Sequence, residues 1–503
     1  MASTKSLAKD SVIYGGTTIV MKFISWLMTP LFTYAPFFLR SDFGMMTNLY
    51  AYAAVIMVIL TFGMETGFFY FINQNPTEKR GKVYSMSLLI VGFFVTIFLG
   101  VFLGFLPNVR LVLWDSAIPN IYLQMLIVIA AMDTFIAVPF AFLRYEKKPL
   151  RFGFYKILQV VLYALLCVFF LIICPKIEQS HPDWIAWFWK ADFQLGYILV
   201  ANLIATGIQT LCLVLQISKF RFSFDWKLAK QMIAYCFPLM LMGLAGMSNQ
   251  VVDKIIFPVV YQGESPALQE LGVYSACFKI GVIMMMFTQA FRYAFDPFMF
   301  EKGKDKDAKQ SYALVMKYFI SLGLLIFLGI LFYLDIFKYF VAPDYWVALK
   351  IIPIVLMGEL FFAVYYNLSL WYKLTKQTYW GTIFSSIGFV VIVLLNFFFI
   401  PKYSYMACAW AACIGNALIM FLSYFIGQKK YPIRYDLKTI GMYAGLAGVL
   451  FSVSCIISIE NIYLRLAFHT ILISIYLGVL YKKEFSENLL VQRFIQRFLV
   501  RKP

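Results

Sequence analysis

The chain has 503 residues, of which 62% are hydrophobic, 19% aromatic and only 14% charged. This composition excludes a string of soluble domains, which would need far more charged residues to cover their surfaces, and indicates a membrane protein. The 43 Lys and Arg against 25 Asp and Glu give a net charge of +18. Such an excess is typical of proteins that meet nucleic acid, an acidic membrane surface or an anionic substrate.

Apolar stretches long enough for a bilayer-spanning helix of about 20 residues recur along the whole chain. The first follows a polar start, Met1 to Asp10, and is too long for a cleaved signal, so we expect this helix to be retained. The longest joint, 175–191, carries three tryptophans expected at the membrane interface. In chain order the stretches predict fourteen spans at 11–38, 43–72, 83–106, 119–142, 152–174, 192–216, 232–260, 270–299, 311–334, 345–369, 379–400, 404–426, 438–457 and 462–481.

Lys and Arg concentrate in alternate joints, such as 79–82, 144–151, 219–230, 302–309, 373–376 and 429–438, and at both chain ends. Lys156 and Lys317, which lie near span ends, are counted with this set. By the positive-inside rule this set is cytoplasmic, so both termini are predicted to be cytoplasmic. Topology therefore accounts for most of the positive charge, and no nucleic-acid partner is expected.

The chain repeats itself with a shift of 228 residues, which superposes Gly15 on Gly243, Pro30 on Pro258, Gly44 on Gly272, Met57 on Met285 and Tyr84 on Tyr312. Because six spans separate the copies, the repeat is parallel, about an axis along the membrane normal. We therefore predict an all-α polytopic membrane protein with an N-lobe at 1–220, a C-lobe at 221–430, and two further helices with a tail at 431–503. The segment 487–502 is an amphipathic basic helix suited to the inner leaflet or, alternatively, to a protein partner.

Apart from those counted with the joints or lying near span ends, nine ionisable residues remain within the predicted spans, where each costs at least about 2.5–3.5 kcal/mol at a helix centre. Such residues face the bundle interior, a water-filled cavity or a partner, so all nine are functional candidates. They are Lys22, Glu65, Asp133, Asp253, Lys254, Lys279, Arg292, Asp296 and Glu359.

Each of these charges also has a purely structural interpretation. Lys22, near the predicted midplane, could form a buried ion pair with Glu65 of the neighbouring helix. Arg292 and Asp296 are spaced i, i+4 and could form a local salt bridge. Lys279 has no such partner, and the thirteen residues that separate it from Arg292 turn a helix by about 220°, so the two cannot aim at one point.

The remaining acids also allow two interpretations. Asp253 and Lys254 point about 100° apart on a helix, so one could line a cavity while the other meets a neighbour. Asp133 and Glu359 occupy nearly equivalent places in the two lobes and are either structural contacts or sites that couple transport to H⁺ or Na⁺.

The sequence lacks the motifs of several functional classes. The eight cysteines make no CxxC pair, so no disulfide framework or zinc site is indicated. The sequence has no Walker-type loop and no H-E-x-x-H, which disfavours an ATP-driven pump, and neither a metal nor an organic cofactor is expected. The remaining enzyme alternative is a membrane-embedded polysaccharide polymerase or ligase, but the short joints disfavour it.

Three stretches resemble the polysaccharide flippases of the Wzx type, particularly their Bacteroides-type members. They are NQVVDKIIF at 249–257, ELGVYSACFKI at 270–280 and QAFRYAFDPF at 289–298, and SDFG at 41–44 before the second span is similar too. The likeness extends over the twelve core helices, and its motifs are shared by the wider multidrug/oligosaccharidyl-lipid/polysaccharide exporter superfamily. It implies a bundle of six plus six helices around a cavity that opens to one side at a time.

The resemblance implies a function: a non-enzymatic transporter that flips a polyprenyl-diphosphate-linked oligosaccharide from the inner to the outer leaflet for surface polysaccharide such as O-antigen or capsule. Lys22, Lys254, Lys279 and Arg292 are the expected diphosphate ligands, because basic side chains in a low-dielectric cavity bind phosphate. Asn249 is a further polar candidate for the cavity. The alternatives are a cation-coupled multidrug exporter of the same superfamily and, within the anionic class, a lipid II flippase.

The implied location is the bacterial inner membrane, where membrane lipids and polysaccharide assembly proteins are the candidate partners. We expect the chain to act as a monomer.

Overall fold

The computed structural model describes residues 4–36, 38–74, 80–114, 118–217, 223–302, 307–375 and 377–485, and regular secondary structure within them is helical. The first half contains α1 (Thr4–Tyr34), α2 (Arg40–Thr61), α3 (Met64–Gln74), α4 (Arg80–Gly104), α5 (Leu106–Trp114), α6 (Asn120–Tyr145), α7 (Pro149–Val168), α8 (Cys174–Ser180) and α9 (Gln194–Ile217). We call this set the N-lobe.

The C-lobe contains α10 (Trp226–Val260), α11 (Ala267–Lys302), α12 (Ala308–Phe332), α13 (Leu334–Phe337), α14 (Ile352–Leu368), α15 (Leu370–Leu374), α16 (Tyr379–Tyr403) and α17 (Tyr405–Lys430). The last two helices are α18 (Leu437–Ile456) and α19 (Ile462–Leu480). The predicted lobe boundary at 220 and the predicted amphipathic tail at 487–502 lie outside the described residues.

Thirteen spans in the described part of the chain are long and apolar enough to cross a membrane, and they match the second to fourteenth predicted spans. The first predicted span corresponds to α1, whose 31 residues are also long enough for a crossing. Polar residues such as Lys22 interrupt its apolar stretch. The prediction of an all-α polytopic membrane protein is confirmed.

Several of the spans begin at a side chain that caps the helix. The carboxylate of Asp225 accepts a hydrogen bond from the backbone N–H of Leu228, and that of Asp436 accepts one from Thr439, both at 3.1 Å. These bonds satisfy backbone donors that the first helical turn leaves without partners. The hydrogen bonds to Thr439 also hold the pKa of Asp436 below its usual value, because they favour the charged carboxylate.

Contacts between helix ends distinguish two sides of the bundle. The hydroxyl of Tyr34, the last residue of α1, donates to the carbonyl of Tyr339 at 3.1 Å. On the opposite side, Lys317 near the start of α12 contacts Glu484, which follows α19. We call the side that holds the first and last described residues the terminal side, and the other the far side.

The two lobes meet on the far side where α2 crosses α11, with the backbone of one helix packed directly against the backbone of the other. A Cβ atom added at Gly44 of α2 would overlap the carbonyl oxygen of Leu268, and one added at Gly272 of α11 would overlap that of Arg40. The two contacts are reciprocal and follow the predicted shift, since 40 and 44 become 268 and 272 when 228 is added. Reciprocal contacts of this kind are those expected around a two-fold axis.

The last two helices are held against α12 by polar contacts at two levels. On the terminal side, the carboxylate of Glu484 accepts hydrogen bonds from Lys317 at 2.6 Å and from the hydroxyl of Tyr443 at 2.9 Å. Nearer the far side, Nδ1 of His469 donates to the carbonyl of Phe332 at 2.6 Å. These buried bonds couple α18 and α19 to the C-lobe.

We predict that Gly44→Ala destabilises the protein, because the helices must separate to admit the methyl group. Overpacking of this kind costs about 1–3 kcal/mol. Thermal unfolding in detergent should show a lower Tm. Gly100→Ala is the matched control, since nothing lies within 4 Å of a Cβ at that helical position. An equal Tm for the two variants would contradict the close crossing.

Candidate functional site

The predicted intramembrane charges fall into three groups. Two of them lie inside single lobes and contain equal numbers of acids and bases. The third lies where α1 of the N-lobe meets α11 of the C-lobe, and contains bases. We call them the N-lobe group, the C-lobe group and the seam group.

The N-lobe group consists of Glu65, Asp133, Arg144 and Lys156. Glu65 forms an ion pair with Arg144 at 3.3 Å. Lys156 lies where its charge interacts with Asp133, Glu65 and Arg144, and its ammonium is 4.2 Å from the centre of the Phe140 ring. Two bases therefore compensate two acids within this lobe.

This group corrects the proposed ion pair between Lys22 and Glu65, which is wrong. Phe62 and Gly63 have positive φ values of 52° and 67°, which end α2 and turn the chain before α3. Glu65 therefore starts a new helix and meets Arg144, near the end of α6. Arg144 and Lys156 were missed as group members because both were assigned to the terminal-side joints.

The C-lobe group consists of Asp253, Lys254, Lys279 and Glu359. The ammonium of Lys254 lies 2.9 Å from the carboxylate of Asp253, which also accepts a 2.8 Å hydrogen bond from the Tyr274 hydroxyl. Glu359 lies where its charge interacts with both members of that pair, and Lys279 where its charge interacts with Lys254. The group again holds two acids and two bases.

The expectation that Asp253 and Lys254 diverge toward different neighbours is therefore wrong. Their Cα–Cβ directions differ, but the four-carbon stem of lysine is long enough to bring its ammonium back to the adjacent carboxylate. Both side chains are nearly buried, with 13% exposed for Lys254 and 8% for Asp253. As an anion ligand Lys254 is thus largely neutralised by its own neighbours.

The seam group consists of Lys22 on α1 and Arg292 on α11, whose charges interact across the lobes. The guanidinium carbon of Arg292 lies 3.8 Å from the centre of the Tyr366 ring. None of the ion pairs between described side chains includes either base. The side chain of Asp296, the predicted partner of Arg292, lies outside the described residues. The four predicted bases thus form two separate pairs, as the helical rotation between Lys279 and Arg292 requires.

Asn249 joins α10 to α16 and belongs to none of the three groups. Its amide nitrogen donates to the carbonyl of Ser385 at 2.9 Å. Its side-chain oxygen is buried and accepts no hydrogen bond from the described residues. The amide can therefore take one more donor.

An apolar cleft of about 1120 Å³ lies between α12, α14, α17 and α18. Aromatic side chains such as Phe327, Phe361 and Phe421 line three of its walls. The α18 wall includes four small residues, among them Gly441 and Gly448, and a Cβ added at either glycine would meet nothing within 4 Å. The cleft is wide because α18 packs against α12 and leaves α14 and α17 uncovered.

Comparisons with known proteins identify the fold. No protein-family model matches the chain, and no curated protein matches it. Among solved structures it is similar to the lipid II flippase MurJ in an inward closed conformation, with 14% identity over 94% of this chain and 99% of that chain and a TM-score of 0.68. An inward-facing multidrug resistance MATE family transporter of the MOP superfamily is also similar, with 13% identity over 83% of this chain and 94% of that chain and a TM-score of 0.59.

An outward-facing MATE structure gives 13% identity over 84% of this chain and 95% of that chain, with a TM-score of 0.55. At such low identity these likenesses concern the arrangement of helices alone. The chain has the fold of these transporters, and its function must be argued from its own residues.

Replacing a lysine by methionine should affect stability in opposite directions in the C-lobe group and in the seam group. We predict that Lys254→Met lowers stability by about 3–5 kcal/mol, because it leaves Asp253 buried without its counter-ion. Lys22→Met should instead raise the Tm, because it removes the repulsion of Arg292 and the cost of holding a charge in the bilayer. Thermal unfolding of both purified variants checks these opposite signs. A lower Tm for Lys22→Met would contradict the description of Lys22 as a base that no described acid compensates.

Proposed function

We propose that this protein flips a polyprenyl-diphosphate-linked oligosaccharide from the inner to the outer leaflet of the bacterial inner membrane. The observation that carries the proposal is the seam group, in which Lys22 and Arg292 interact across the two lobes without a described acid between them. In the other two groups Arg144 and Lys254 form ion pairs with acids. A pair of bases with no acid between them among the described side chains is suited to an anionic cargo.

The chemistry of a diphosphate fits this pair. Arginine offers a planar fork for two phosphate oxygens and lysine offers a mobile point charge, and both bind more strongly where water is excluded. A diphosphate held between Lys22 and Arg292 offsets their mutual repulsion, so its binding favours the state in which the lobes meet. Its release favours the state in which they part. Alternating access then follows from the charge of the cargo.

The apolar cleft supports a lipid-linked cargo rather than a free anion. A polyprenyl chain needs an apolar surface that stays continuous with the bilayer while the diphosphate sits between the lobes. The cleft between α14, α17 and α18 offers such a surface, with aromatic walls and an open glycine-rich face. Each CH₂ group buried there contributes about 0.8 kcal/mol.

The membrane potential supplies a direction for this transport. With both termini in the cytoplasm, as the distribution of basic residues predicts, the inside-negative potential favours outward movement of an anion by about 2.3 kcal/mol per charge per 100 mV. A diphosphate carries more than one negative charge. Coupling to H⁺ or Na⁺ through Asp133 or Glu359 is therefore an addition to the mechanism rather than its only energy source.

A cation-coupled multidrug exporter is the main rival function, since its fold is similar. A cationic drug requires a binding site with net negative charge. The N-lobe and C-lobe groups are balanced, and the seam group has the opposite sign. The charges of the described residues therefore favour the flippase.

We predict that Lys22→Ala and Arg292→Ala each reduce surface polysaccharide at least about tenfold at unchanged protein level, because a hydrogen bond to a charged group contributes about 1.5–3 kcal/mol. Lys279→Ala should have a smaller effect, because the charge of Lys279 interacts with Lys254, which is paired with Asp253, rather than with the seam group. Immunoblots of polysaccharide and protein in cells measure both quantities. Lys402→Ala, which changes an exposed lysine, is the control. Normal polysaccharide in both seam variants would refute the proposal.

The cleft provides an independent prediction. Gly448→Phe should fill the space beside α18 and abolish most transport of the lipid-linked cargo, because the polyprenyl chain loses its surface. The Tm should change little, since a Cβ at Gly448 meets no neighbour. Gly207→Phe, at another open helical glycine outside the cleft, is the matched control. Equal transport by the two variants would show that the cleft does not hold the lipid.

A further inference from the structure

We propose that a pocket on the far side of the C-lobe binds the phosphodiester headgroup of an anionic phospholipid, with Lys338 and Arg465 as the phosphate ligands. The pocket lies between α13, the 3₁₀ segment Pro343–Ile351 and the start of α19. It shares no lining residue with the apolar cleft and contains neither base of the seam group. The inference therefore does not rest on the proposed function.

The pocket combines an apolar surface with charged groups. Its volume is about 370 Å³, which is in the range of small-molecule sites. The apolar part of its lining consists of Leu331, Leu334, Leu349 and Trp346, and the charged part consists of Asp335, Lys338 and Arg465. A lipid headgroup requires the same combination, because a charged phosphate is joined there to an apolar body.

One carboxylate in the pocket serves two bases. The ammonium of Lys338 lies 3.0 Å from one oxygen of Asp335, and Nε of Arg465 lies 2.6 Å from the other. Neither base forms an ion pair with a second acid among the side chains that the structure describes. Two bases and one acid leave the pocket with a charge of +1, which a phosphodiester balances with its single negative charge.

Both bases have hydrogen-bond donors left for a ligand. Arg465 carries five N–H groups and Lys338 three. Besides the contacts with Asp335, the guanidinium of Arg465 donates to the carbonyl of Ile459 at 3.3 Å. The side chain of Arg465 is 31% exposed and that of Lys338 is 20% exposed, so a ligand that enters the pocket can reach both. Phosphate oxygens accept bonds of this kind strongly, since donor and acceptor are both charged.

Trp346 fixes the turn that carries Lys338. Its indole N–H donates to the carbonyl of Lys338 at 2.9 Å and to that of Val341 at 3.1 Å. The ammonium of Lys338 lies 5.0 Å from the centre of the same indole ring. An aromatic ring attracts a cation without cancelling its charge. Lys338 is therefore held at the pocket while its charge stays available to an anion.

The surroundings of the pocket favour a lipid over a free anion. The segments that form it also carry large apolar side chains that are more than half exposed, namely Ile336, Tyr339, Val347, Tyr463 and Leu464. Apolar and aromatic side chains beside Lys and Arg are typical of the membrane interface. Because the basic joints predict a cytoplasmic terminal side, the far side faces the outer leaflet. The shared chemistry is the phosphate group, which a phospholipid or inorganic phosphate supplies.

Titration of the purified full-length protein in detergent, followed by native mass spectrometry, tests this site with phosphatidylglycerol, phosphatidylethanolamine and inorganic phosphate as probes. We expect phosphatidylglycerol to bind at least about fivefold more tightly than the other two. Lys338→Gln and Arg465→Gln should each weaken its binding at least about fivefold, because each removes a charged donor. Asp335→Asn should tighten it about threefold or more, because the pocket then keeps both bases without the acid.

The opposite sign expected for Asp335→Asn excludes a merely structural role. Loss of the two ion pairs alone would lower the Tm without tightening lipid binding. Lys350→Gln is the matched control, since Lys350 is an exposed lysine of the same 3₁₀ segment outside the pocket, and its binding of phosphatidylglycerol should be unchanged. If Asp335→Asn or Arg465→Gln does not fold, Lys338→Gln decides, because it leaves Asp335 paired with Arg465.

Three results would overturn the inference. The first is unchanged phosphatidylglycerol binding in Lys338→Gln and Arg465→Gln, and the second is weaker binding in Asp335→Asn. The third is equal binding of the probes by the wild-type protein: phosphatidylethanolamine as tight as phosphatidylglycerol would show that the pocket does not recognise headgroup charge. Inorganic phosphate as tight as phosphatidylglycerol would show that it binds the free anion and that the lipid contributes nothing.

Discussion

The high cost of a charge in a bilayer is the constraint on which this structure depends. In each lobe that cost is offset locally: Glu65 meets Arg144, Lys254 meets Asp253, and further charges of both signs surround each pair. These groups resemble the buried ion pairs of soluble cores, which break at great cost when one partner is removed. Against that background the bases at the lobe seam are an exception, and their energetic cost is reduced when an anion occupies the site.

Most of the fold could be predicted from the sequence, because a bilayer requires long apolar helices and little else. The predicted spans match the observed ones, and the weak identities at a shift of 228 include Gly44 and Gly272, which lie against each other. A sequence shows that both positions are glycine. Their mutual contact depends on how two lobes face each other, which no local pattern encodes.

The site was less predictable, for two physical reasons. Basic residues near the ends of spans were counted with the cytoplasmic joints, so Arg144 and Lys156 were left out although α6 and α7 continue around them. A helical wheel also fails to show some ion pairs. Lys254 and Asp253 point in different directions on the wheel, yet the flexible side chain of lysine brings its ammonium to the carboxylate. Lys22 and Arg292 were identified because a base deep in an apolar stretch stands out in any sequence. Tyr366 gave no such signal, since this chain contains 33 tyrosines.

The glycine crossing between α2 and α11 consists of backbone against backbone, so it contains nothing that titrates and nothing that ions screen. These backbone contacts therefore do not depend on pH or salt, whereas the exposed ion pair between Arg40 and Asp344 beside them, at 3.7 Å, is weakened by salt. The charges near Lys22 and Arg292 respond to both pH and salt. The two lobes thus meet at two kinds of contact, one of packed backbone and one of charged side chains, and the second depends far more on its surroundings.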